Sequence, residues 1–167
     1  MKRETIGNIL TFLKEKEGKE LPKNWNIIER LENHPDDIQY RYDGILSLSH
    51  SNITKLPNDL YVDGHLWLDN TNITKLPDKL YVDRSLSLEN CKQLTKLPNN
   101  LYVGGYLDLT NCEHITELPN GLYVRRSLFI YNTPLANKYT DEEIKDIVAS
   151  TGGTLIGKIF RLWIEKQ

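Results

Sequence analysis

Apolar residues return along this chain in a fixed phrase. LPNDLYV begins at Leu56, LPDKLYV at Leu76, LPNNLYV at Leu97 and LPNGLYV at Leu118, with spacings of 20, 21 and 21 residues. A second phrase alternates with the first: ILSLSHSNIT from Ile45, HLWLDNTNIT from His65, SLSLENCKQLT from Ser85, YLDLTNCEHIT from Tyr106 and a degenerate SLFIYNTPL from Ser127. The alternation Leu66, Trp67, Leu68 has the period of a strand, so each repeat is expected to contribute one short strand with its leucines on one face. Ile53, Ile73 and Ile115 then turn the chain back beneath that strand, and Leu56, Leu60, Val62 and their equivalents fill the remaining interior. Pro57, Pro77, Pro98 and Pro119 argue against regular strand pairing on this return limb and favour extended or turn geometry. Gly44, Gly64 and Gly105 precede strands, at places where a positive φ is easily reached.

Self-similarity at this period predicts a solenoid. The pattern resembles that of leucine-rich-repeat proteins, whose LxLxxNxL signature is matched by Leu66, Leu68, Thr71 and Ile73, and the LPxxL limb looks like the short repeats of bacterial secreted effectors and of related bacterial and phage proteins. That resemblance implies an α/β solenoid: an arc with five parallel strands on its concave face, commonly used to recognise another protein. The fixed Tyr-Val after the third leucine departs from the effector pattern. A catalytic domain is not expected, so the ubiquitin-ligase activity of some effector relatives is not implied.

A stack of repeats needs caps, because each end would otherwise present bare apolar surface. Residues 1–43 are read as an N-terminal cap, 44–135 as the repeats and 136–167 as a C-terminal cap. Ile6, Ile9, Leu10 and Leu13 recur at helical spacing, and Pro22 opens an expected second helix carrying Trp25, Ile28 and Leu31. Ile38, Tyr40 and Tyr42 alternate as an expected edge strand. Toward the other end, Thr140 and Glu143 form a capping box ahead of Ile144, Ile147 and Val148, and Gly152-Gly153 stops that helix. Thr154 to Phe160 then reads as one strand that covers the last repeat or offers an edge to a second copy, with Leu162, Trp163 and Ile164 adding apolar surface.

The totals narrow the classes of function. A net charge of −2, with eight Lys/Arg against nine Asp/Glu across residues 44 to 135, leaves no basic excess for nucleic acid. No apolar run reaches the roughly 20 residues of a membrane span, and no cleaved leader is expected, so a cytoplasmic location is the reading, with a leaderless secreted effector as the alternative. Two cysteines are too few for a disulfide framework. Cys91 and Cys112 hold equivalent positions in adjacent repeats, near enough for a disulfide, yet Ser51, Thr71 and Thr133 share the slot, which argues for a small buried polar residue. The repeat family usually places there an inward Asn or Cys that bonds the backbone. With only His114 nearby, the pair lacks the donors zinc requires, and no metal or cofactor is expected.

Removing the inward leucines leaves three outward columns. They are Ile45, His65, Ser85, Tyr106 and Ser127; Ser47, Trp67, Ser87, Asp108 and Phe129; and Ser49, Asp69, Glu89, Thr110 and Tyr131. Large rings among small polar residues match the composition of protein interfaces, so His65, Trp67, Asp69, Glu89, Tyr106, Asp108, Phe129 and Tyr131 are the candidate partner-binding residues. A solvated face that merely tolerates a few rings is the competing reading. Tyr61, Tyr81, Tyr102 and Tyr123 form a fourth, outward ladder, explained by ring stacking between repeats. No nucleophile elbow, phosphate-binding glycine loop or HExxH sequence occurs. Asp69, Glu89 and Asp108 share an open face that offers little enclosure for glycosidase-like chemistry. Binding to another protein is therefore expected ahead of self-association, and catalysis last.

Overall fold

A computed structural model of the chain describes residues 25–29 and 38–161, with side-chain surroundings from residue 44 onward. It shows a β-solenoid with two parallel sheets and two short helices. In chain order the strands are β1 (Trp25–Glu29), β2 (Ile38–Asp43), β3 (Leu46–Ser47), β4 (Leu60–Asp63), β5 (Leu66–Trp67), β6 (Tyr81–Val82), β7 (Leu86–Ser87), β8 (Tyr102–Val103), β9 (Leu107–Asp108), β10 (Tyr123–Val124) and β11 (Leu128–Phe129). Helices α1 (Pro134–Lys138) and α2 (Asp141–Ser150) follow, then β12 (Thr154–Leu155) and β13 (Ile159–Phe160).

The LxL segments build a six-stranded sheet in the order β13-β11-β9-β7-β5-β3. Its register sets Leu66 beside Leu86 and Leu86 beside Leu107, so each leucine stacks on its own equivalent. Leu66 N–H donates to the Ser85 carbonyl at 2.9 Å, Leu86 to Tyr106 at 3.0 Å and Leu107 to Ser127 at 2.9 Å, each bond joining adjacent turns. The return limb departs from the sequence expectation. Its LYV segments form a second sheet, β1-β2-β4-β6-β8-β10-β12, parallel from β2 onward. The prolines interrupt only the preceding turn, and the three residues after it are free to pair. Hydrogen bonds here also link adjacent turns, as when Asp83 N–H donates to Val62 at 2.9 Å and Gly104 N–H to Val82 at 2.9 Å.

Between the sheets lies an apolar core. Leu60, Leu66, Leu68, Ile73, Leu80, Leu86, Leu88, Leu94, Leu101, Leu107 and Leu109 are fully buried. Two left-handed residues per turn make the corners: His50, Asn70, Asn90, Asn111 and Asn132 after the LxL strands, with Asp59, Lys79, Asn100 and Gly121 before the LYV strands. Asn adopts this region more readily than other non-glycine residues, which explains its recurrence. Of the three glycines preceding strands, only Gly44 has a positive φ, 105°. Gly64 is required by crowding instead, since a Cβ there would lie 2.0 Å from the Gly44 carbonyl oxygen.

Both ends differ from the expected caps. Trp25 to Glu29 is a strand paired antiparallel with β2, not a helix, and β2 is consequently interior to its sheet rather than an edge. In so short a stretch Ile28 follows Trp25 at helical spacing and Ile27 follows it at strand spacing, and pairing with β2 decides between them. The expected helix at residues 6–13 and the apolar group Leu162, Trp163 and Ile164 lie outside the described residues. In the C-terminal segment, Thr140 and Glu143 make the capping box, with Thr140 N–H donating to Glu143 at 2.7 Å, and Gly152 closes α2 at φ 78°. The single strand expected over 154–160 is instead two. β12 extends one sheet and β13 the other, so the chain continues the winding rather than lying across it. Arg161 secures this last turn through Asp141 at 2.6 Å, with further bonds to the Ala136 and Tyr139 carbonyls.

Stacking at a single spacing leaves little room to relax around a cavity. Leu88→Ala is expected to cost about 2–5 kcal/mol, read as a lower urea midpoint at unchanged slope. An unchanged midpoint would contradict a densely packed interior.

Candidate interaction surface

The outward side of the six-stranded sheet carries a continuous run of rings. His65 stacks on Trp67 at 4.9 Å, and Trp67 reaches Tyr106 at 6.1 Å and 28°. Tyr106 meets Phe129 edge-on at 5.6 Å, Phe129 stacks on Phe160 at 4.8 Å, and Tyr131 lies 6.2 Å from Phe129. The contact from Trp67 to Tyr106 passes over β7, whose outward residues are only serines. Ser85 and Ser87 are 4% and 6% exposed although they point away from the core, as expected of small residues beneath large neighbours. All six aromatic groups are half-buried. They are therefore held in place by one another while still presenting apolar surface, and exposed Ile45 stands in the same column as His65.

Every aromatic candidate named from sequence belongs to this run. Phe160 was missed, because the helical insert of α1 and α2 separates Ile159-Phe160 from its equivalent Leu128-Phe129 by more than the usual period. The similarity of the pairs Leu-Phe and Ile-Phe was the available signal.

The acids occupy the same face with distinct environments. The Asp69 carboxylate accepts from Ser49 Oγ at 3.1 Å, from Ser87 Oγ, and from Glu89 N–H at 3.2 Å. This tie holds three neighbouring strands together. Asp108 Oδ1 accepts from Thr110 N–H at 2.9 Å. Glu89 has only a long contact from Asn90 Nδ2, 3.4 Å, and its pKa is raised by burial and by the charges of Asp108 and Asp69. The Tyr106 hydroxyl is also pushed up, by burial and then by Asp108 and Asp69, so it remains a hydrogen-bond donor at neutral pH. Burial lowers the His65 pKa, with Arg84 adding to the effect, which favours the neutral imidazole.

The tyrosine ladder and the two cysteines lie outside this ring-bearing run. Tyr61, Tyr81, Tyr102 and Tyr123 stack at 4.7, 4.2 and 4.7 Å with planes within 6° of parallel. Cys91 and Cys112 are buried free thiols that donate to the Leu68 and Leu88 carbonyls, each at 3.1 Å. Thr71 and Thr133 bond Leu68 and Ile130 from the same slot, at 2.7 and 2.8 Å. Burial raises both thiol pKa values, that of Cys112 to about 12, and keeps the sulfurs protonated. Among the described residues no group of three or more His, Cys, Asp or Glu is placed to hold a metal ion, and no helix is long and apolar enough to cross a membrane.

Compared with protein-family models, characterised proteins and solved structures, the chain finds no match in any of the three.

Glu89 supplies a pH test. Its raised pKa means the folded chain holds that proton more tightly than the unfolded chain. At neutral pH the ionised form therefore costs stability, and the cost is relieved as pH falls through the folded-state value. Glu89→Gln is expected to raise the urea midpoint at neutral pH and to lose that advantage in acid. A lower midpoint at neutral pH would show that attractive contacts outweigh the repulsion.

Proposed function

We propose that this chain is a non-catalytic protein-binding module of the leucine-rich-repeat type, engaging its partner through the ring-bearing face of the six-stranded sheet. The carrying observation is the aromatic run from His65 to Phe160, half-buried and packed ring against ring on a scaffold of short strands. Rigid rings lose little conformational entropy on binding, and Trp and Tyr dominate interface energies. A non-catalytic role is supported by the way Asp69 and Asp108 are engaged by serine hydroxyls and backbone N–H groups on an open face. The LPxxL phrase supports a bacterial or phage origin and a role in modulating or inhibiting a host protein, with the cytoplasm as the compartment.

The test is capture of a partner from the native source, identification of what is retained, and repetition with Trp67→Ala. The variant is expected to weaken the complex by about 30-fold, the scale of an interface hot spot, with a urea midpoint close to that of the parent chain. Undiminished affinity removes this face as the site.

Self-association is a second reading, favoured by one observation. Both sheets end at β12 and β13 among the described residues, beside Ile156, which is 61% exposed. Such edges invite pairing with another chain. It predicts a mass that rises with concentration by light scattering and returns to monomer in Ile156→Asp; a monomer at all concentrations rejects it.

A further inference from the structure

Three carboxylates, Asp69, Glu89 and Asp108, lie on the ring-bearing face, and none of its outward positions from Ile45 to Tyr131 carries Lys or Arg; Lys158 continues the first column beside Ser127, two strands beyond Asp108. The described ion pairs, Lys79 with Asp59, Lys92 with Glu113 and Arg161 with Asp141, are all elsewhere. Asp69 has its oxygens committed to Ser49, Ser87 and the Glu89 backbone, and Asp108 bonds Thr110, but neither arrangement supplies a positive charge. Glu89, between them, has the weakest partner of the three. The acids and the rings Trp67 and Tyr106 are carried by adjacent strands, β5, β7 and β9, or by residues within two positions of their ends.

This combination selects a particular chemistry. Rings alone would accept any apolar segment, whereas an acidic row beside rings rejects acidic chains, nucleic acid and anionic membrane. Lys and Arg side chains satisfy both parts, since their apolar stems pack on rings, their charges favour ring faces, and their ends reach carboxylates. Resting on the protein-binding reading above, we propose that the partner presents a basic, extended polypeptide segment. Its Lys or Arg stems lie along Trp67 and Tyr106, and their charged ends meet Glu89 and Asp108.

Short random peptides displayed in a library and selected on the full chain test this. Selected peptides are then measured by fluorescence polarisation against the parent chain, Trp67→Ala, and a double variant with Glu89→Gln and Asp108→Asn. The two amides preserve shape and the acceptor for Thr110, and urea midpoints verify that all variants fold. Enrichment of Lys and Arg is expected, with affinity falling about tenfold or more in the double variant, as for removal of a charge partner. Affinity should also fall as salt rises, because exposed charge pairs are screened. Peptides that depend on Trp67 but lack basic residues, or that ignore the double variant, overturn the basic-partner proposal and leave the binding face standing. Peptides indifferent to Trp67→Ala, or no enrichment at all, overturn both.

Discussion

Each turn of this molecule is hydrogen-bonded to the next in an unshifted register, and that constraint organises everything else. Because the backbone pairs Leu66 with Leu86 and Leu86 with Leu107, a residue has no choice of neighbour: it meets its own counterpart one turn away, at the spacing of paired strands. Inward positions must then be apolar and of nearly constant volume in every repeat. Corners must accept the same left-handed backbone each time, which is why Asn recurs at 70, 90, 111 and 132. Hydrogen bonds in both sheets tie both limbs of every turn to its neighbours, so the winding holds although most of its strands are only two residues long.

The same register multiplies whatever an outward position contains. For tyrosine the result is favourable, and four rings stack nearly parallel along the LYV sheet. For carboxylates it is unfavourable, and the chain answers with hydroxyls: Ser49 and Ser87 clasp Asp69 from the strands on either side. Serines at 85 and 87 also clear the path by which Trp67 reaches Tyr106. Continuity of the rings on this face thus depends on small residues as much as on large ones, since a bulky side chain on β7 would separate the rings into two groups.

Continuation of the winding beyond α1 and α2 matters for the same reason. β13 brings Phe160 against Phe129, extending the ring-bearing face by one strand, while Arg161 joins that strand to the helical insert through Asp141 and two backbone carbonyls. An element that reads as a cover in sequence is part of the ring-bearing sheet. Its recognition failed because the insert breaks the 20–21-residue period on which repeat detection relies.

What the amino-acid sequence determined by itself is the interior: which leucines face inward, where each turn reverses, the tyrosine ladder, the small polar slot shared by Thr71, Cys91 and Cys112, and the start of α2 at its capping box. These features are local or strictly periodic, so residue type and spacing suffice. Only the tertiary structure decided that LYV forms a second sheet, that Trp25 to Glu29 is a strand, that Gly64 answers to crowding by Gly44, and that rings from non-adjacent turns join across β7. Each of these depends on what another turn places alongside, and a pairing partner distant in sequence exerts its influence only once the chain has closed upon it.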